Sequence, residues 1–416
     1  MIQEQALKIL KSGANVFLTG SAGTGKTFLL NQFIQHLKEN GIKVGITAST
    51  GIASTHIGGN TIHSWAGIGI AKSIRDPKIK KFLKGKNPKW KEIRDTKVLI
   101  IDEISMIDSQ RLALIDSVCR EVKDPFLPFG GIQVITCGDF FQLPPINDNP
   151  NEKLEFAYDS TAWKKANFNV CYLQKQYRQD DQEFVDILND IRNNKADEKT
   201  LKKIKTRLNK NIDGFKKVTK LYSHNRNVDE INNLELSKIK GLEREYQMSY
   251  SGTLKLVDSL KKNCLAPETL KLKKGAIVMF VKNNFKEGYV NGTLGTVIGF
   301  DNEDFPIIRT IKGREITVPR EKWGIEKNEK VVASIWQIPL RLAWAITIHK
   351  SQGMSLDAAE IDLSKSFDYG MGYVALSRVR RLDSIKLIGI NENALKVNKD
   401  ILEKNKEFIL LSKENE

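Results

Sequence analysis

Eight consecutive residues constrain this chain more than any others. Gly20-Ser21-Ala22-Gly23-Thr24-Gly25-Lys26-Thr27 fit the pattern GxxxxGK[ST]. Residues 15–19 before them read as a strand, and residues 26 to about 37 after them read as a helix. Glycines let such a loop curl until its N–H groups face the phosphates of a nucleotide, aided by the positive end of the following helix. Lys26 would neutralise phosphate charge and the Thr27 hydroxyl would ligate Mg²⁺, so ATP and Mg²⁺ are the expected cofactors. A glycine-rich turn without chemistry is the alternative, and the flanking strand and helix weigh against it.

The downstream residues weigh further. Val98-Leu99-Ile100-Ile101-Asp102-Glu103 is an apolar run ending in two carboxylates, which places both acids at the C-terminal edge of a sheet strand, where ligands bind. Asp102 would hold Mg²⁺ and Glu103 would polarise the attacking water. An isolated Asp-Glu pair is usually a solvated strand end; its spacing from a P-loop favours the chemical reading. Gly138-Asp139-Phe140-Phe141-Gln142-Leu143-Pro144-Pro145 follows another strand. There Gln142 would sense the γ-phosphate, while Phe140 and Phe141 read equally well as core.

The short apolar runs at 43–48, 97–101 and 133–137 alternate with helical patterns, as in a parallel α/β sheet covered on both faces. A length of 416 residues suggests two compact domains. The first is expected over residues 1–168, with a basic, wedge-like insert at about 67–94. The second is expected over 169–416, with a strand at 218–222. It carries a β-rich, barrel-like insert at about 246–330 whose strands read at 276–281, 294–300 and 307–318. The α/β pattern resumes at Val331 and closes with a strand at 385–390 and a charged helix.

Lys and Arg number 66 against 50 Asp and Glu, a net charge of +16. Such an excess suits a polyanionic partner such as nucleic acid, or a merely solvated lysine-rich surface. The four cysteines show no CxxC spacing, so free thiols in a reducing cytoplasm are expected and a zinc site is not. The expectation is a cytoplasmic protein without a membrane partner, since no segment approaches the ~20 apolar residues of a membrane span.

These motifs, taken in order, resemble the Pif-type helicases, the 5′-to-3′ branch of helicase superfamily 1 that also contains RecD relatives. Thr47-Ala48-Ser49-Thr50-Gly51-Ile52-Ala53 and Thr61-Ile62-His63-Ser64 look like the two early DNA-contacting motifs. Gln176-Tyr177-Arg178, Leu221-Tyr222-Ser223-His224-Asn225 and Tyr289-Val290-Asn291-Gly292-Thr293-Leu294-Gly295 follow. Ala345-Ile346-Thr347-Ile348-His349-Lys350-Ser351-Gln352-Gly353 and Tyr373-Val374-Ala375-Leu376-Ser377-Arg378 complete the series. Met371 departs from the pattern, since many relatives carry Gln there.

The resemblance implies two RecA-like domains with ATP between them. Lys26, Asp102, Glu103 and Gln142 would belong to the first, with Gln5 reading the adenine from a partly matching early segment. Arg178 and Arg378 would reach in from the second to stabilise charge on the transferring phosphoryl group. Thr50, Gly51, His63, His224, Asn225, His349 and Lys350 would contact single-stranded DNA, and duplex junctions would be the substrate. A monomeric or weakly self-associating motor is expected. Trp65 reads as a base-stacking or a packing residue, and His36 as structural. A RecD-type subunit, a DNA-stimulated ATPase without strand separation and a small-molecule kinase remain as rival readings. The kinase would need neither the basic surface nor the His349-Lys350-Ser351-Gln352-Gly353 segment.

Overall fold

A computed structural model describes the chain except residues 70, 72, 77–78, 80–87, 146–152, 180, 213–218, 224, 283, 285–286, 290–292, 311–312, 328–329, 354–355 and 357. Two compact units result. One joins Met1–Ser223 to Ile348–Glu416, and the other is His224–Thr347. Much of the wedge-like insert expected at 67–94 lies outside the described residues; its end is the helix Pro88–Asp95.

The first unit is organised around strands β1 (Val16–Gly20), β2 (Val44–Ala48), β3 (Asn60–Thr61), β4 (Val98–Asp102), β5 (Gln133–Cys137) and β6 (Asn169–Leu173). They form one sheet in the order β3-β2-β4-β5-β1-β6, and every pairing is parallel. All five residues of β1 and of β4 are buried, as sheets covered on both faces require. Helix α1 (Gln3–Lys11) precedes β1, and α2 (Lys26–Glu39) follows the P-loop. Helix α2 buries Leu29, Leu30, Phe33, Ile34 and Leu37, a spacing that keeps one stripe on the sheet. Because β5 lies between β1 and β4, the three loops that leave these strands emerge side by side at one sheet edge.

A second parallel sheet in this unit pairs β7 (Thr219–Tyr222) with Ala359–Leu363, and that strand with Ile385–Ile390. Both RecA-like sheets therefore belong to one compact unit.

Three sequence expectations change. Strand β6, expected to open the second domain, pairs along its whole length with β1, so the first sheet runs past residue 168. A buried apolar run reads alike beside either sheet, and only tertiary pairing decides. The C-terminal helix Lys399–Glu414 also returns to the first sheet. Its Phe408 ring lies 4.9 Å from Phe17 and 6.1 Å from Phe140, and Ser412 Oγ accepts the N–H of Tyr172 at 3.0 Å. Val331, expected to resume the α/β pattern, lies instead in Lys330–Gln337, which pairs antiparallel with Glu321–Lys327.

In the second unit, Glu315–Thr317, Pro306–Thr310, Leu294–Phe300, Ile277–Phe280 and Leu340–Leu342 form a five-stranded antiparallel sheet in that order. Its order has two free ends, and the barrel-like closure expected from sequence is not among the described pairings. Its core gathers Tyr246, Leu270, Leu272, Val278, Phe280, Tyr289, Val297, Ile308 and Val318. Asn232 holds the unit's last strand from the helix Asn225–Lys238, accepting the N–H of Ala345 at 3.0 Å and donating to its carbonyl at 3.3 Å.

Candidate active site

The P-loop leaves β1 through Gly20 and enters α2 at Lys26. Gly23 has φ +90°, and a Cβ there would lie 2.5 Å from Gln179 Oε1 and 2.8 Å from Arg178 Cβ. Both the backbone conformation and the close approach therefore require glycine. The Lys26 ammonium donates to the carbonyls of Gly20 at 2.8 Å and Ser21 at 2.9 Å. Burial pushes its pKa down, against the pull of Asp139. Thr27 is the exposed second residue of α2.

Asp102 ends β4 and is buried; its Oδ1 accepts the N–H of Glu103 at 2.9 Å. Burial first, then the charge of Glu103, pushes its carboxyl up to about 7. That N–H, the Cys137 thiol and Lys26 pull it back down. A buried carboxylate left this dear to ionise beside a phosphate-binding loop is chemically suited to a divalent cation, which would restore the charged form. Glu103 stands in the left-handed region at φ +53°, and its Oε2 accepts from Gln352 Nε2 at 2.9 Å. Gln142 is buried with its Oε1 free of hydrogen bonds.

Arg178, in the segment that leaves β6, and Arg378, between two strands of the second sheet, stand beside each other. Arg178 donates to the Ser377 carbonyl at 3.1 Å. Arg378 is 1% exposed and donates to the Val374 carbonyl at 2.8 Å and to Ser377 Oγ at 2.8 Å. Burial, then the neighbouring Arg178, disfavours its charge, while Glu103 favours it. Two buried guanidinium groups side by side are costly unless a dense anion is to be met there.

Several contacts of the site join residues far apart in sequence. Tyr373 accepts the Ala22 N–H at 2.9 Å and donates to Asp139 Oδ2 at 3.1 Å. Asp139 is also paired with buried Arg192 at 3.2 Å, whose guanidinium lies 4.3 Å from the Phe141 ring centre. Gln176 donates to Ser21 Oγ at 2.7 Å, and the Tyr177 N–H donates to Gly23 at 2.9 Å. The phosphate loop is thus laced to the Tyr373–Arg378 segment by buried polar contacts. Gln5, the expected adenine reader, accepts the Ile2 N–H at 3.1 Å and caps α1, whereas Gln3 reaches the loop at the Thr24 carbonyl, 3.2 Å away. Tyr373 and Arg192 had family position and polarity as their only clues; Gln3 had none.

The expected DNA contacts stand on several elements. Thr50 Oγ1 accepts the Ala53 N–H at 3.2 Å at the start of the helix Gly51–His56. His63 lies in the short helix Ile62–Trp65, and burial, then Arg111, pushes its pKa down. His349 stands 3.7 Å from Asp368 with its ring stacked 6.0 Å from Phe367, and Lys350 follows it in the helix Ile348–Ser351. His224 and the Asn225 side chain lie outside the described residues. Trp65 is buried, its indole lying 2.8 Å from where a Gly45 Cβ would stand, so it packs beneath β2. The His36 ring lies 3.3 Å from the Asn40 amide nitrogen, one turn along its own helix. Phe140 and Phe141 are core.

The sequence matches the family model for PIF1-like helicase over residues 2–202 and that for the DNA helicase Pif1 2B domain over 255–300. It is 41% identical to the ATP-dependent DNA helicase Pif1 of Psychrobacter sp., across 95% of this chain and 69% of that protein. The chain spans 63% of the ATP-dependent DNA helicase PIF1 of Xenopus laevis and 62% of that of Danio rerio. Among solved structures, Pif1 helicase from Candida albicans superposes with a TM-score of 0.91 at 35% identity, covering 97% of this chain and 98% of that one. Bacteroides Pif1 in complex with ADP-AlF3 and ssDNA gives 0.82 at 31%, covering 97% and 96%. Among the described residues, no helix is long and apolar enough to cross a membrane.

Proposed function

The chain belongs to the PIF1-like helicase family, and on that premise we propose an ATP-driven motor that translocates 5′-to-3′ on single-stranded DNA and separates the duplex ahead of it. One observation carries the reading: the phosphate loop, the Asp102-Glu103 pair, Arg178 and, from a connection of the second parallel sheet, Arg378 belong to one compact unit. A small-molecule kinase has no use for that second sheet.

Lys26 leaves the Gly20 and Ser21 carbonyls to meet the β- and γ-phosphates. Thr27 and Asp102 would hold Mg²⁺, which would supply positive charge against the phosphates. Glu103 takes a proton from the water that attacks the γ-phosphorus. The bond to the β,γ-bridging oxygen breaks, and ADP and inorganic phosphate leave. Arg178 and Arg378 stabilise charge on the transferring group and make hydrolysis depend on the second sheet's position.

The Bacteroides relative holding ADP-AlF3 together with ssDNA supports the same pairing of ligands here. Thr50, Gly51, His63, His224, Asn225, His349 and Lys350 touch the strand, favouring phosphate contacts over base reading. Melting costs on the order of 1.4 kcal/mol per base-pair step, well within what ATP hydrolysis supplies. Four cysteines free of disulfides suit a reducing, cytoplasmic setting.

The test is strand separation on two labelled duplexes, one with a 5′ tail and one with a 3′ tail, with Lys26→Ala as control. Unwinding from the 5′ tail alone, lost in the control, is expected. DNA-stimulated hydrolysis without unwinding of either substrate would replace the helicase by a translocase or switch.

A further inference from the structure

We propose that Gln352 is the positioning residue through which the DNA-facing segment sets the water-activating carboxylate Glu103; the proposal rests on the functional reading above. Gln352 directly follows the helix Ile348–Ser351, which carries His349 and Lys350. It is 5% exposed, and its Nε2 donates to Glu103 Oε2 at 2.9 Å. A carboxylate only accepts hydrogen bonds, so this contact fixes the orientation of the amide. The amide oxygen is thereby turned elsewhere, buried and without a protein partner.

Glu103 is held at both ends. Its backbone sits at φ +53°, a left-handed conformation that is strained for a non-glycine residue. Its carboxylate is steered by Gln352. The same short helix reaches an arginine as well, since Ser351 donates its hydroxyl to the Ile348 carbonyl at 2.7 Å and offers its own carbonyl to Arg378 Nη1 at 3.4 Å. A shift of the helix when DNA engages His349 and Lys350 therefore moves Glu103 through one side chain and Arg378 through one carbonyl.

The test measures ATP turnover with and without an oligothymidylate strand, together with KM for ATP and Kd for the strand. It compares wild type, Gln352→Ala and Gln352→Asn, with thermal melting to confirm folding. Site-to-site coupling typically spans about 5–150-fold. The ratio of DNA-stimulated to DNA-free turnover should accordingly fall about tenfold or more in Gln352→Ala, with KM and Kd changed less than about threefold. Gln352→Asn, which keeps a shortened amide, should retain part of the ratio. A ratio that stays at the wild-type value, or two turnovers that fall by one common factor, overturns the coupling role. Wild-type hydrolysis indifferent to DNA would instead overturn the functional reading itself, and this inference with it.

Discussion

Around the phosphate loop, Arg378 is 1% exposed and its donors are committed to Val374, Ser377 and Ser351. On the face proposed for DNA, the His349 side chain is 31% exposed and lies 3.7 Å from Asp368. The contrast follows from what each ligand needs. Transferring a phosphoryl group requires charges fixed before the reaction and shielded from water. Holding a strand that must slide requires many weak, exposed contacts, each easily released. One region is built to be rigid and costly, the other to be forgiving.

Substitutions can break this contrast or sharpen it. The largest expected effect is at Arg378. Its replacement by Ala should lower DNA-stimulated ATP turnover by on the order of 10³-fold or more, as for arginines that meet a transferring phosphoryl group; a loss under tenfold would return Arg378 to a packing role. Glu103→Gln should cost roughly 10²–10⁴-fold in kcat while a fluorescent ATP analogue still binds, a split that steady-state kinetics and titration together resolve.

Asp102→Asn should abolish hydrolysis yet raise thermal stability in nucleotide-free buffer above pH 7. The folded-state pKa of Asp102 lies above its unfolded value, so the folded protein gains from the protonated form. That stability is present at low pH and is lost as pH rises toward about 7. Asn escapes the loss, and the variant's advantage in Tm should shrink as the buffer is taken from pH 8 to pH 5. Tyr373→Phe leaves the Ala22 N–H and one Asp139 oxygen short of a partner in a buried setting, a cost of about 1–3 kcal/mol readable by urea denaturation. His349→Ala should be mildest, weakening single-strand affinity only severalfold, by about 1 kcal/mol, with no change in KM for ATP.

The same contrast explains what could be read from sequence. The phosphate loop and Asp102-Glu103 were legible because their chemistry requires contiguous residues between a strand and a helix. Strand limits came within a residue or so, since buried parallel strands are unbroken apolar runs. Gln3, Arg192 and the tie from Tyr373 to Ala22 were not legible, because each depends on a partner far away in sequence. Val331 misled for a related reason: an apolar stretch carries no mark of whether its neighbour runs parallel or antiparallel. Gln5 fitted a motif by position, and its amide oxygen caps α1, a local role that the motif does not encode.

The helix Lys399–Glu414 seals the aromatic cluster around Phe17, and that has a consequence for biosynthesis. Phe17 leaves the ribosome early, whereas Phe408 leaves it nearly four hundred residues later. The first sheet must wait through most of translation with one apolar face uncovered. Nascent chains halted before residue 399 should therefore be held by chaperones and cut readily by protease near β6, and full protection should arrive only with the last turns of that helix.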